Sequence, residues 1–260
     1  MDSEISQIIH LSSERIICLK QHFAGKSCCI IGNGPSLRIR DLELLKNTYT
    51  FGVNKIYDIY PFTFWRPTFY AVQDFKLMQV IFGEMESATL DSSYRFFNAR
   101  ILQIPDIPVL SGYKDFYFQL KNEWSEDKKL TSPSFSENFY ACAYEGYTVT
   151  YTMLQLAVYL GFTKIYLLGV DHNYPSAGNQ EMILTETFHN DYFQGYQPLR
   201  NTLLNAPQLN RSTAAYEAAK KYCCARGIQI FNATRGGNLE IFSRIPFEQA
   251  VEELHYECGK

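Results

Sequence analysis

The strongest constraint on this chain is a repeated switch of hydrophobic period along its length. Short unbroken apolar runs alternate with longer segments whose apolar residues recur at helical spacing. The first run, Cys28-Cys29-Ile30-Ile31, empties into Gly32-Asn33-Gly34-Pro35-Ser36. Tyr49-Thr50-Phe51-Gly52-Val53-Asn54 and Thr68-Phe69-Tyr70-Ala71-Val72 read as the next two strands, the latter closed by Gln73-Asp74. Lys164-Ile165-Tyr166-Leu167-Leu168-Gly169-Val170 is the clearest strand of all, and Ile228-Gln229-Ile230-Phe231 is a late one. Runs without polar alternation belong to strands buried on both faces. Helical spacing is found over residues 3–23, 41–46, 153–160 (stopping at Gly161), 212–226 (stopping at Gly227) and 247–254. Between 75 and 140 the pattern weakens, with Ile101-Leu102-Gln103-Ile104 as a candidate strand among prolines 105, 108 and 133.

Strand and helix in alternation predict an α/β fold: a Rossmann-like, mostly parallel sheet with helices on both faces and a long lid-like insertion. The expected organisation is an N-terminal helix over 1–27, a nucleotide-binding catalytic domain over 28–240 and a C-terminal helix over 241–260. Residues 175–211, polar, aromatic and aperiodic, form the expected lid or acceptor segment, because loops of that length in compact domains usually carry function.

Composition narrows the function classes. Apolar residues make up 46% and charged residues 20%, enough for a packed core. A net charge of −3 gives no support for broad nucleic-acid binding. The seven cysteines are odd in number, include two adjacent pairs and show no CxxC spacing. Neither a disulfide framework nor a zinc site is indicated, and a reducing cytoplasm is expected. The amino-terminal residues 1–21 start acidic and lack a long apolar stretch, so they do not read as a signal peptide. No window reaches the ~20 apolar residues of a membrane span; a cytoplasmic protein is expected, with peripheral contact at the inner face of the membrane left open. The 19 Tyr, 19 Phe and 2 Trp fill a core first, and offer stacking surfaces for bases or sugars second.

Ligands of parallel α/β sheets sit beyond the carboxyl ends of the strands, so the polar residues just after each strand are the candidates. Gly32, Asn33, Gly34 and Ser36 form a turn that lets backbone approach a phosphate at a helix start. The turn matches neither the dinucleotide nor the Walker fingerprint. Asn54, Gln73 and Asp74 end the second and third strands and are read as ligand-facing or as turn residues. Thr148 and Thr150 either cap the following helix or offer hydroxyls. Asp171, His172, Asn173 and Tyr174 make a dense polar group after the strongest strand: a carboxylate, an imidazole that titrates near neutrality, an amide and a phenol able to donate to a departing phosphate. His189, in the long loop, is a candidate general base, and Arg200 and Arg211 are candidate phosphate partners.

Three ordered motifs carry a resemblance: residues 30–37 around Gly32-Asn33-Gly34-Pro35-Ser36, then Gly52-Val53-Asn54, then Leu160-Gly161-Phe162-Thr163-Lys164-Ile165-Tyr166-Leu167-Leu168-Gly169-Val170-Asp171. In order and spacing they resemble the 6-hydroxymethylpterin diphosphokinase-like family and the related small bacterial CMP-sialic acid sialyltransferases, over roughly residues 28–75 and 140–235. The resemblance implies a metal-free site for a CMP-sugar, with Gly32, Asn33, Gly34 and Ser36 around the phosphate and sugar. It puts Asn54 on the donor, Thr148 and Thr150 on the cytidine side, and a phenol such as Tyr174 on the leaving phosphate. Two departures stand out. No histidine lies just before the 212–226 helix, and Glu145-Gly146-Tyr147-Thr148 replaces an arginine–serine element.

The leading expectation is therefore a glycosyltransferase without cofactor. It would move a sugar, in the family a nonulosonic acid such as sialic acid, from a CMP-linked donor to a surface glycan, with a homo-oligomer as its expected state. Two other readings stand beside it. One is a diphosphokinase that would hold Mg²⁺ on Asp74 and Asp171 while ATP gives up pyrophosphate. The other is a non-catalytic nucleotide- or glycan-binding module.

Overall fold

The computed structural model of the chain describes residues 2–105, 107–124, 132–175, 182–184, 191–197, 199 and 202–258. The strands are β1 (Ser27–Ile31), β2 (Thr50–Val53), β3 (Phe69–Val72), β4 (Tyr94–Asn98), β5 (Asp115–Phe118), β6 (Leu120–Lys121), β7 (Ala143–Tyr144), β8 (Lys164–Leu168), β9 (Met182–Leu184), β10 (Leu203–Asn205), β11 (Gln229–Asn232) and β12 (Ser243–Arg244). The helices are α1 (Asp2–Cys18), α2 (Ile39–Leu44), α3 (Phe75–Ala88), α4 (Val149–Leu160), α5 (Leu209–Cys224) and α6 (Phe247–Cys258), with 3-10 segments at Asn54–Phe62 and Ala99–Gln103.

Among the described residues, eight strands form one sheet in the order β12-β11-β8-β1-β2-β3-β4-β5, every neighbouring pair parallel. The expected α/β architecture is the one observed. The chain lays β1 to β5 outward on one side of β1 and then returns to place β8, β11 and β12 on the other. The direction of winding thus reverses between β1 and β8, where such sheets leave a crevice.

The pleat divides the core in two. Cys28, Ile30, Phe51, Val53, Phe69 and Phe96 face α4 and α5, while Cys29, Ile31, Tyr70, Val72 and Phe97 face α3 and α6. The aromatic load is spent largely here: Phe23, Phe51, Phe69 and Phe162 pack ring on ring at 4.4–6.0 Å. Helix α4 is buried from Thr150 to Leu160, starts on the Thr148 hydroxyl and ends at Gly161 in the left-handed region at φ 101°. A Cβ at Gly161 would lie 2.9 Å from the Ala24 backbone, so glycine is required twice over. Helix α1 covers the sheet edge: the Ser12 hydroxyl and Arg15 bond the backbone of β5, which would otherwise be an open template.

Several expectations are corrected. Ile101-Leu102-Gln103-Ile104 is not a strand; the 3-10 segment Ala99–Gln103 occupies it, because the Asn98 side chain caps the Arg100 amide at 3.1 Å and turns the chain. The strand lies just before, at β4, and α3 and β5 fill a region that showed no clear pattern. Helix α5 starts at Leu209 rather than 212, which moves Arg211 out of the long loop and into the first turn of a helix.

Candidate functional site

The loops after β1 and β8 meet at the reversal point. The Gly32 amide donates to the Leu168 carbonyl at 2.8 Å and the Gly34 amide to the Gly169 carbonyl at 2.9 Å, so sheet pairing continues past the strand ends. A Cβ on Gly32 would sit 2.5 Å from the Gly169 oxygen, and one on Gly34 would fall inside the Asp171 carboxylate. These glycines are therefore dictated by the approach of two loops to each other. Together with the ends of β2 and β3 and the starts of α3, α4 and α5, they enclose a cleft of about 670 Å³.

Asp171 is buried and anchored from two sides. Its Oδ2 accepts from the Ser36 hydroxyl at 2.7 Å, and its carbonyl accepts from the Asn238 amide at 2.7 Å. Burial pushes the carboxyl up, with the Ser36 bond opposing. Ser36 thus stands behind the cleft and holds Asp171, whereas Gly32, Asn33, Gly34, Asp171, His172 and Tyr174 line it. His172 pairs through Nε2 with the Thr213 hydroxyl at 2.8 Å and packs edge-on against Tyr216, and burial lowers its pKa. The Tyr174 phenol is held well above its ordinary value by burial, so it stays a hydrogen-bond donor.

On the opposite wall, the Asn33 side chain donates to the Val53 carbonyl at 3.0 Å, which fixes its amide, and its Oδ1 is buried without a partner among the described residues. Asn54 lines the cleft with φ at 52°, its own Oδ1 also buried and unpartnered among the described residues. Of the described non-glycine residues at positive φ, Asn54, Tyr147 and His172 all line this cleft. Strained backbone persists where the surroundings hold it, and such residues gather at functional sites.

Gln73 and Asp74 line the cleft, but the Gln73 side chain is engaged by protein partners. The buried Thr152 hydroxyl donates to its Oε1, and its Nε2 donates to Oε1 of Glu145 at 2.6 Å. Asp74 caps α3, accepting from the Lys76 and Leu77 amides at 2.9 and 3.3 Å. Glu145 went unnoticed as a candidate in the sequence, where its only signal was the substitution of an acidic residue for a basic element. Burial pushes its carboxyl up, and the nearby Asp74 carboxylate adds to that shift.

Thr148 caps α4, its hydroxyl accepting from the Thr150 amide at 3.3 Å and lying 3.4 Å from the Tyr216 phenol; both threonines line the cleft. Arg211 hydrogen-bonds the Tyr147 phenol and stacks over its ring at 4.5 Å, with Trp124 at 5.7 Å. No carboxylate pairs with Arg211 among the described residues. The starts of α3, α4 and α5 line the same space; α3 begins on the Asp74 carboxylate, whereas α4 is capped by a neutral hydroxyl and α5 has no side-chain cap, so the latter two favour an anion there.

Parts of the long segment reach the site. The Phe193 amide bonds the Asn33 carbonyl at 3.0 Å, Asp191 lines the cleft, and Tyr192 stacks on Tyr196 at 4.1 Å. His189 and Arg200 lie outside the described residues. Among the described residues, no group of three or more His, Cys, Asp or Glu side chains is gathered as for a metal ion, and no helix is long and apolar enough to cross a membrane.

A parallel sheet wound in both directions, with a polar crevice at its reversal point, makes this a Rossmann-like α/β protein. No family model and no curated protein matches the chain. The MAf glycosyltransferase from Magnetospirillum magneticum AMB-1 shares the fold with a TM-score of 0.53 at 15% identity, over 97% of this chain and 42% of that one. This chain thus spans less than half the length of that protein. The sialyltransferase CstII from Campylobacter jejuni, in complex with the substrate analogue CMP-3FNeuAc, aligns at a TM-score of 0.43 and 12% identity over 85% of this chain and 86% of its own. The sialyltransferase CST-II in complex with trisaccharide acceptor and CMP gives 0.43 and 14% over 84% and 85%.

Proposed function

We propose that this chain is a glycosyltransferase that takes a sugar from a CMP-linked donor and passes it to a hydroxyl of a glycan. One observation carries the reading: the amide oxygens of Asn33 and Asn54, buried and without a partner among the described residues, and the N-termini of α4 and α5 border one cleft at the reversal point. A buried acceptor without a donor costs the folded protein about 1–3 kcal/mol, a cost that ligand hydroxyl or amino groups remove. The N-termini of α4 and α5 and Arg211 supply local positive potential toward a nucleotide phosphate, without a cation. The choice of CMP over other nucleotides rests on the motif resemblance around Gly32, Asn54 and Asp171.

In this reading the bond from the anomeric carbon to the donor phosphate breaks, and its electron pair leaves with CMP. Tyr174, kept protonated, donates to the departing phosphate, and Arg211 balances its charge. Asp171, held by Ser36, and His172 shape the donor side, while Thr148 and Thr150 contact the nucleoside. The segment before α5, residues 175–208, serves as the acceptor side.

Thermal unfolding with CMP, CTP, ATP and GTP, each with and without Mg²⁺, tests the reading. CMP alone is expected to stabilise the protein, by about 2.7 kcal/mol at a hundredfold excess over Kd. Stabilisation by ATP only when Mg²⁺ is present would replace this reading with pyrophosphate transfer. Nucleotide binding with no sugar transfer to any glycan would leave a binding module.

A further inference from the structure

Glycosyl transfer to a hydroxyl needs a group that removes the acceptor proton, and the described cleft offers four carboxylates and one imidazole. Asp171 is tied to Ser36, and Asp74 to the start of α3. Asp191 is buried, 2% exposed. His172 turns Nε2 to Thr213 and is weakened as a base by burial. Glu145 differs from all of these. Its Oε1 accepts from the Gln73 amide at 2.6 Å and the Tyr147 backbone at 3.0 Å, which locks the carboxylate plane. No described hydrogen bond engages its Oε2, and the residue lines the cleft.

The support behind Glu145 is built rather than incidental. The Glu145 carboxylate only accepts and so takes the NH₂ end of the Gln73 amide, and Thr152, fully buried on α4, donates its hydroxyl to the Oε1 end. The Gln73 carbonyl is fixed in turn by the Asn98 amide at 2.8 Å. The Glu145 carbonyl takes the Trp124 indole N–H at 2.9 Å. Charged groups around it are Asp74 at the start of α3, Arg211 on α5 through Tyr147, and Lys121 and Glu123 on and after β6. No cation pairs with its carboxylate among the described residues.

Resting on the transferase reading above, we infer that Glu145 is the general base, its Oε2 taking the proton of the acceptor hydroxyl, with Gln73 and Thr152 as its positioning residues. As the acceptor oxygen bonds the anomeric carbon, its proton passes to Glu145, and the carbon–phosphate-oxygen bond releases its electron pair to CMP. The proton ends on the carboxyl and the charge on the nucleotide. An ordinary carboxylate is a weak base near neutrality; one raised by burial beside a second carboxylate is better matched.

The test measures CMP release from CMP-N-acetylneuraminic acid across pH 5–9, for the full chain and for Glu145→Gln, Glu145→Asp, His172→Asn and His189→Asn, with CMP affinity and thermal unfolding followed in parallel. Glu145→Gln is expected to bind CMP as the parent does and to lose turnover by ~100-fold or more. It should also lose the fall in rate toward acid pH, and Glu145→Asp should restore part of the turnover. An acid limb that survives in Glu145→Gln, or vanishes instead in either histidine variant, overturns the assignment while the transferase reading stands. A parent protein that neither binds CMP nor releases it overturns the transferase reading, and the base falls with it.

Discussion

The amide of Gln73 donates to the carboxylate of Glu145 at 2.6 Å, although the two residues lie 72 positions apart and follow different strands, β3 and β7. The bond works because Thr152 occupies the other end of the same amide. Removing that hydroxyl with Thr152→Val keeps the side-chain shape and leaves Gln73 Oε1 buried and unpaired. A loss of about 1–3 kcal/mol in urea unfolding is expected. No change would mean that the amide is not held from this side.

Glu145 also sets a pH dependence of stability. Its folded pKa is raised by burial, with the Asp74 carboxylate adding to the shift. A raised carboxyl favours the folded state below its unfolded pKa, and that contribution disappears as pH rises through the folded value. The ionised form is therefore the costly one. Glu145→Gln should be more stable than the parent at pH 8 and lose that advantage toward pH 4, as read from melting temperatures across the range. An advantage that grows toward acid would reverse the sign and the physical picture.

Gly34 faces the Asp171 carboxylate with no room for a methyl group. Gly34→Ala should push the two loops apart, at about 1–3 kcal/mol for overpacking. Nucleotide affinity should fall with stability, since the loop pair forms the cleft floor. Parent-like unfolding and binding would contradict the close approach.

Asn54 separates ligand contact from fold. At φ 52° a glycine is at least as comfortable as asparagine, so Asn54→Gly should leave stability within about 1 kcal/mol of the parent. It removes the amide from the cleft, and CMP affinity should drop by roughly tenfold, as for one lost hydrogen bond. Unchanged affinity in calorimetry would take Asn54 out of the binding surface.

Much of this arrangement could be read in the chain itself. The apolar runs of β1, β2, β3 and β8 stand out because strands buried on both faces need no polar alternation, whereas β11 is half-exposed. Of their polar followers, Asn33, Asn54, Gln73, Asp74 and the group from Asp171 to Tyr174 line one cleft. Ser36 escaped correct placement because its bond to Asp171 spans 135 positions. Glu145 and Thr152 were illegible for the same reason: a carboxylate acquires its character from Gln73 and Asp74, which only the parallel sheet brings beside it. The strand β4 was hidden by Arg95, a polar residue in a buried strand made tolerable by its ion pair with Asp115 at 2.6 Å.

The bonds from Gly32 to Leu168 and from Gly34 to Gly169 make the base of the crevice a direct extension of the sheet. Such a base cannot widen without breaking pairing between β1 and β8, so it has no freedom to adjust to a different guest. Any retuning of what enters must be written into the surrounding walls, in α5, in Trp124 and Tyr147, and in the stretch from Asp191 to Tyr196. Chains sharing this base can thus diverge widely in what they accept while keeping one backbone course at the bottom.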